Sequence, residues 1–341
     1  MQPTPSDRPA GHNGALPHQE IVLISKSLSY RALPLEANNV SALFDRRWDV
    51  QRYGKATGDS NAYSLGLVGH HNIVLVHMPN MGKVAAATAA AGLCASFQRI
   101  NIALVVGICG GAPFGKHRGE ILLGDVVVSE GLIQYDLGRW FPNNKFARKD
   151  TPRDNLPRPN PEIQAALAKL QAEHDWLQDK VSEYLGILRP RFGEAVEYPG
   201  ATEDILFKST YQHKHHQTSV CTTCSTGNGK DNICDTALGL NCEQLGCDKQ
   251  ELVSRISSVG WEPTVHFGLI ASGDTVMKSG EDRDAIAVRD GVIAFEMEGA
   301  GAWENLRGSL VIKGICDYAE MAELCSCDCH RCYKGVLGLL E

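Results

Sequence analysis

HFGLIASGDTVMKSGEDRD (266–284), VIAFEMEGAGAWE (292–304) and SLVIKGICDY (309–318) follow one another near the end of the chain. Short apolar runs at 266–271, 292–294 and 310–315 suit buried strands, and 283–288 and 297–306 carry helical spacing. Strands alternating with helices give an α/β fold, here expected as a three-layer sandwich with a mixed central β-sheet flanked by helices. Asp274, Glu298 and Asp317 end or interrupt runs that would otherwise be core. An acid there must face a cleft or stay buried at a cost.

The same reading extends upstream. Residues 21–24 form a short strand candidate, 33–44 have helical spacing with Pro34 in the first turn, and 63–68 with 73–78 read as a hairpin. The Ala-rich stretch 81–97 predicts a helix packed closely on the sheet. Residues 102–106 predict a buried strand ending in a turn at Gly107, Gly110 and Gly111, and 126–128 another strand. From 141 to 262 the chain turns polar and Pro-rich around a helix pair at 163–188, which reads as an insertion. The expected organisation is a disordered tail at 1–18, one catalytic domain at 19–320 and a Cys-rich tail at 321–341.

With 341 residues, 43% of them hydrophobic, the chain can bury a large core. A net charge of −7 argues against nucleic acid or an anionic membrane as partner, and a small ligand fits better. The first residues lack an apolar signal core, and no run reaches the length of a membrane span, so a cytoplasmic location is expected. In that setting a disulfide framework is not expected.

Asp317 follows the apolar LVIKGIC, where strand ends border ligand crevices in α/β sheets. Burial there would raise its pKa towards the range a general acid needs, while a helix N-cap is an equal reading. Glu296, Met297 and Glu298 precede Gly299-Ala300-Gly301. A carboxylate in this place suits two sugar hydroxyls and the thioether an apolar sugar face, although acids at a helix start also complement its dipole. Ser272-Gly273-Asp274 is a strand-end turn in which Asp274 reads as structural. The glycines at 107–111 lack dinucleotide-binding spacing, and Met81-Gly82-Lys83 is no phosphate-binding loop. No cofactor is expected.

Twelve cysteines include two clusters. Cys221, Cys224, Cys242 and Cys247, with Cys234 and three nearby histidines, contain enough soft ligands for one tetrahedral zinc. The spacing fits no common finger, so a reduced, disordered loop is the favoured reading and these residues are weak metal candidates. The tail cysteines 325–332 alternate too tightly to hold one metal easily.

Seven segments in order, ALPLEA (32–37), HMPNMGKVAAA (77–87), VVGICGGAP (105–113), GDVVVSEGLIQYDLGR (124–139), GLIASGDTVMK (268–278), FEMEGAG (295–301) and GICDY (314–318), resemble the nucleoside phosphorylase and nucleosidase superfamily. More narrowly they are similar to its fungal branch, often the front domain of larger nucleotide-binding receptor proteins. The resemblance implies cleavage of a purine nucleoside's N-glycosidic bond. By that likeness Asp317 protonates N7 of the leaving base, Glu298 binds the ribose hydroxyls with Met297 beneath the sugar and Glu296 beside it, and Glu36 activates water. Gly110, Ser272, Asp274 and Val276 would line the substrate, Val276 standing where bacterial nucleosidases stack a Phe. Phosphorylase relatives hold phosphate with an Arg and a Ser where this chain has Val105 and Ile108, so water is the expected co-substrate. Phosphate is the alternative, with Arg31 and Arg139 as substitutes. A nucleoside-sensing module with little turnover is the reading of another class. The family also implies a homo-oligomer.

Two departures accompany the likeness. SKSLSYR (25–31) separates Ile24 from ALPLEA, which is expected to displace the first strand and Glu36. After GICDYAE, the family's Ala-rich helix is replaced by 321–341, which is expected to loosen the Asp317 loop.

Overall fold

The computed structural model describes residues 20–26, 40, 43–49, 54–114, 119–143, 145–192, 204–217, 221–225, 233–255, 263–306 and 309–319. Glu36, Arg31, the two chain ends and the tail cysteines lie outside these residues.

Strands β1 (Glu20–Lys26), β2 (Arg46–Trp48), β3 (Ala62–Val68) and β4 (His71–Met78) precede helix α1 (Lys83–Ser96) and strands β5 (Ile100–Gly111) and β6 (Val126–Gln134). The hairpin β7 (Gly138–Phe141) and β8 (Lys145–Arg148) leads into helices α2 (Pro161–Ala172) and α3 (His174–Phe192), then the four-residue helices α4 (Thr222–Ser225) and α5 (Cys242–Leu245). Strand β9 (Val265–Ser272), helix α6 (Gly280–Asp290), strand β10 (Val292–Glu296), helix α7 (Gly299–Asn305) and strand β11 (Ser309–Asp317) follow. Nine strands form one mixed sheet in the order β10-β9-β6-β11-β5-β1-β4-β3-β2.

Period-two alternation assigns the faces of this sheet. Val74, Val76, Val105 and Val311 pack with Ala86, Ala90 and Leu93 of α1 and Trp303 of α7. Their neighbours Ile73, Leu75, Val106, Leu310 and Ile312 turn the other way, onto Ile163 and Leu167 of α2 and Leu177 and Val181 of α3. Helices therefore cover both faces, giving the expected three-layer α/β arrangement. Asn160 caps α2 by accepting from the Ile163 amide at 2.9 Å, with Pro161 in the first turn.

Two expectations are corrected. Strand β1 is not displaced: it lies in the sheet interior, paired in parallel with β4 through residues 20–26 and with β5 through 20–24, so Ser25 and Lys26 extend it along β4. The glycines of 107–111 do not form a turn but the last stretch of β5. There β5 pairs with β11 on one side and antiparallel with β10 on the other, so that Gly110 lies opposite both Asp317 and Phe295. This extra pairing closes β10, β9, β6, β11 and β5 into a ring. A side chain at 110 would meet Asp317 Oδ1 at 2.5 Å, so only glycine allows the close approach.

Close approach also fixes α1 against α7. A Cβ on Gly301 would lie 2.0 Å from the Lys83 carbonyl oxygen. Gly301→Ala is expected to lower unfolding free energy by about 1–3 kcal/mol through overpacking. Gly186→Ala on α3, where a Cβ meets nothing within 4 Å, should raise it by about 0.5–1 kcal/mol. Urea unfolding of both variants measures the contrast.

Candidate functional site

Ring closure brings the ends of β10 and β11 to either side of Gly110, and a cavity of about 160 Å³ opens there. Glu296, Met297, Glu298, Lys313 and Asp317 line it, with Ile108 and Gly110 of β5 and the loop Thr275–Met277. The loop is held by Tyr135, whose hydroxyl donates to the Thr275 carbonyl and whose ring meets Phe295 edge-on at 5.7 Å.

Apolar residues carry β10 and β11 into the core, and the polar residues among them pair with one another. Lys313 is 2% exposed and donates to Glu298 Oε2 at 3.0 Å, with Glu296 Oε2 at 3.6 Å. Glu296, also buried, accepts from the Glu298 amide at 2.9 Å and from the Gly299 amide at 3.0 and 2.9 Å. It thus fixes the start of α7, and burial pushes its carboxyl above the ordinary range against the opposing pull of Lys313. Glu298 shows its other oxygen to the Gly82 amide at 3.5 Å. Lys313 is the residue sequence reasoning missed. Its signal was a lysine inside the apolar VIKGIC, which demands a buried acid as partner.

Asp317 ends β11 with its side chain 23% exposed, and Lys278 Nζ donates to its Oδ2 at 3.1 Å. Its Oδ1 accepts from the Ala319 amide at 3.0 Å, closing a turn in which Ala319 has φ of 53°. The expectation of a sequestered acid is corrected, because the group is accessible from the cavity and is held as an ion pair. Ser272 and Asp274 do not line the cavity. Ser272 is fully buried and accepts from the Ala300 amide at 3.0 Å, steadying α7. Asp274 accepts from the Lys83 amide at 2.7 Å at the start of α1, while its own amide donates to Asp136. Lys83 Nζ reaches that same Asp136 at 2.7 Å, so the pair of acids pins the loop to the helix. Val276 lines the rim, half exposed.

Arg139, the possible phosphate ligand, is exposed on β7 and does not line the cavity, and Val105 is buried in the core. The weak metal candidates separate into two groups: Cys221 and Cys224 lie with His215 and Cys234, and Cys242 and Cys247 with His213. The favoured reading of a disordered loop is thereby corrected, since both groups occupy defined places.

Residues 26–188 match the family model described as the phosphorylase superfamily. The matched stretch holds the first four of the motifs that carry the resemblance to that superfamily. Among solved structures, 5'-methylthioadenosine/S-adenosyl homocysteine nucleosidase of Helicobacter pylori is similar with a TM-score of 0.51 and 14% identity, over 94% of this chain and 97% of that one. Futalosine hydrolase of Helicobacter pylori is similar at 0.50 and 14%, over 94% and 93%. At such identity the likeness speaks for the fold. A nucleotide-binding leucine-rich repeat (NLR)-like protein of Hyaloscypha variabilis is 30% identical over 299 residues, which are 85% of this chain. The chain spans only 26% of that relative's length.

The raised Glu296 value sets a pH dependence. The native state keeps this proton where the unfolded chain has lost it, so the stability it contributes is complete below the unfolded value of about 4.3. It is lost as pH climbs through the higher native value. Unfolding measured from roughly pH 4 to roughly pH 8 should show a decline that Glu296→Gln flattens; an unchanged decline would refute the assignment. Lys313→Met leaves both buried carboxylates without their ammonium and should cost about 3–5 kcal/mol in the same measurement.

Proposed function

We propose that the domain binds a purine nucleoside in this cavity and hydrolyses its N-glycosidic bond. The observation that carries the reading is the convergence of Glu298, Met297 and Asp317 on one cavity. In this reading Glu298 accepts the ribose hydroxyls, its second oxygen kept in place by Lys313, and Met297 packs under the sugar. Asp317 gives a proton to N7 as the bond to the sugar breaks, so the base leaves neutral. Water, deprotonated by Glu36, completes the sugar as free ribose. Gly110 leaves room for the base beside Asp317, and Val276 offers it an apolar edge.

Water is favoured over phosphate by the charge of the cavity. Among the described residues lining it, Lys313 is the basic one, and its ammonium faces two carboxylates. A phosphate dianion would meet those acids first. Base and free ribose should therefore appear in phosphate-free buffer, whereas a strict phosphate requirement would establish phosphorolysis instead.

One observation favours a nucleoside-sensing module with little turnover. Asp317 faces Lys278 Nζ at 3.1 Å, so a cationic donor already stands at the carboxyl that the catalytic reading turns towards the base. The likeness to a part, 26% of the length, of a much longer NLR-like protein agrees with that role. Turnover separates the two readings. Asp317→Asn should lower the rate of base release by about 10²-fold or more while nucleoside affinity changes little. Retention of intact nucleoside by the unaltered protein over hours would end the enzymatic reading.

A further inference from the structure

The geometry points to a zinc module in the insertion, with one ion held by His215, Cys221, Cys224 and Cys234 and a second by His213, Cys242 and Cys247. Each residue offers one ligand atom, and within each group these atoms lie within 4.8 Å of one another. Zinc bonds sulfur at about 2.3 Å and imidazole nitrogen at about 2.0–2.1 Å in a tetrahedron, which sets the sulfur-to-nitrogen edge near 3.5 Å. His215 Nδ1 lies 3.7 Å from Cys224 Sγ and 3.5 Å from Cys234 Sγ. His213 Nδ1 lies 3.6 Å from Cys242 Sγ and 3.4 Å from Cys247 Sγ. Four separate edges thus have the length that a shared ion would impose.

Hydrogen bonding alone explains this poorly. A neutral imidazole nitrogen has one lone pair, and two thiols converge on each Nδ1. His213 Nε2 lies 3.1 Å from the Leu240 carbonyl oxygen, which can only accept, so the proton sits on Nε2 and Nδ1 presents its lone pair to the sulfurs. A backbone carbonyl fixing the outer nitrogen is the usual support of a metal-bound histidine. All five cysteines are free thiols. The four-ligand group is a closed Cys3His set of the structural kind, and the three-ligand group leaves one position for water. Sulfur-rich tetrahedral sites select zinc over magnesium or calcium.

The module also needs the ions. Among the described residues between 204 and 255 the buried apolar side chains are Leu206, Phe207, Cys224, Ala237 and Leu245, and of these Leu206 alone joins a core cluster. The described α-helices are four residues long, and the described β-pairing is a single bridge between Phe207 and Leu252. So little buried surface holds a segment of this size only with a covalent or metal staple.

Metal analysis of the purified chain, freed of any affinity tag, tests this beside Cys224→Ser and Cys247→Ser. The expected result is two zinc ions per chain with one lost in each variant. Cobalt substituted for zinc should give thiolate-to-metal absorption and tetrahedral d–d bands. Loss of one ion in Cys224→Ser with no change in Cys247→Ser would overturn the three-ligand site and uphold the other. A folded, metal-free protein whose thiols all react at once with a thiol reagent would overturn both. Should the variants not fold, chelator added to the unaltered chain decides: slow zinc release with parallel exposure of thiols supports the module, and full thiol reactivity before chelation refutes it.

Discussion

The ammonium of Lys313 is the charge around which the site is built. Two carboxylates at the end of β10 are buried where each alone would cost several kcal/mol, and one lysine on the neighbouring part of the ring faces both. Such a pairing requires β10 and β11 to end close together, which they do through the antiparallel contact of β10 with the last residues of β5. Glycine at 110 and 111 permits that contact. The start of α7, fixed by Glu296 and Ser272, follows from the same point, and α7 in turn packs against α1 through Gly301. Charge pairing, strand closure and helix packing therefore stand or fall together.

Much of this was legible because hydrophobic period reports backbone state directly. The hairpin of β3 and β4, helix α1, the α2 and α3 pair and the alternation from β9 to β11 all follow from spacing that tertiary packing has no reason to override. The end of β5 was not legible. Gly107, Gly110 and Gly111 carry the local signature of a turn, whereas Gly110 is crowded by Asp317 and Ala319 and Gly111 by Ile315 and Ile121, which sequence spacing does not encode. The local reading of Asp274 as structural agrees with the structure, whereas the resemblance placed Ser272 and Asp274 beside a ligand; their oxygens accept from the amides of Ala300 and Lys83. The two thiol groups escaped for a related reason. One ligand set nests within the other along the chain, with His213 and His215 two positions apart yet belonging to different sites.

Asp317 carries the tension between the two functional readings. Its carboxylate is anchored by the Ala319 amide on one side and Lys278 on the other. Lys278 belongs to the stretch that follows the cavity-lining loop, and it is partly exposed. A bound base would meet this carboxyl together with the Lys278 ammonium beside it, so the choice between enzyme and sensor rests on both side chains.

The metal module bears on the same acid through its footing. Tyr318, directly after Asp317, is buried and donates to Asp204 at the start of the 204–255 stretch. Arg255 at its far end lies over the Tyr318 ring at 4.5 Å and donates to the Tyr318 hydroxyl at 2.7 Å. Arg283 of α6 holds the Tyr318 carbonyl at 2.8 Å from the other direction. Residues 204 and 255 are therefore both clamped on the residue next to the candidate acid, and the proposed zinc ligands at 213–247 lie between them in sequence.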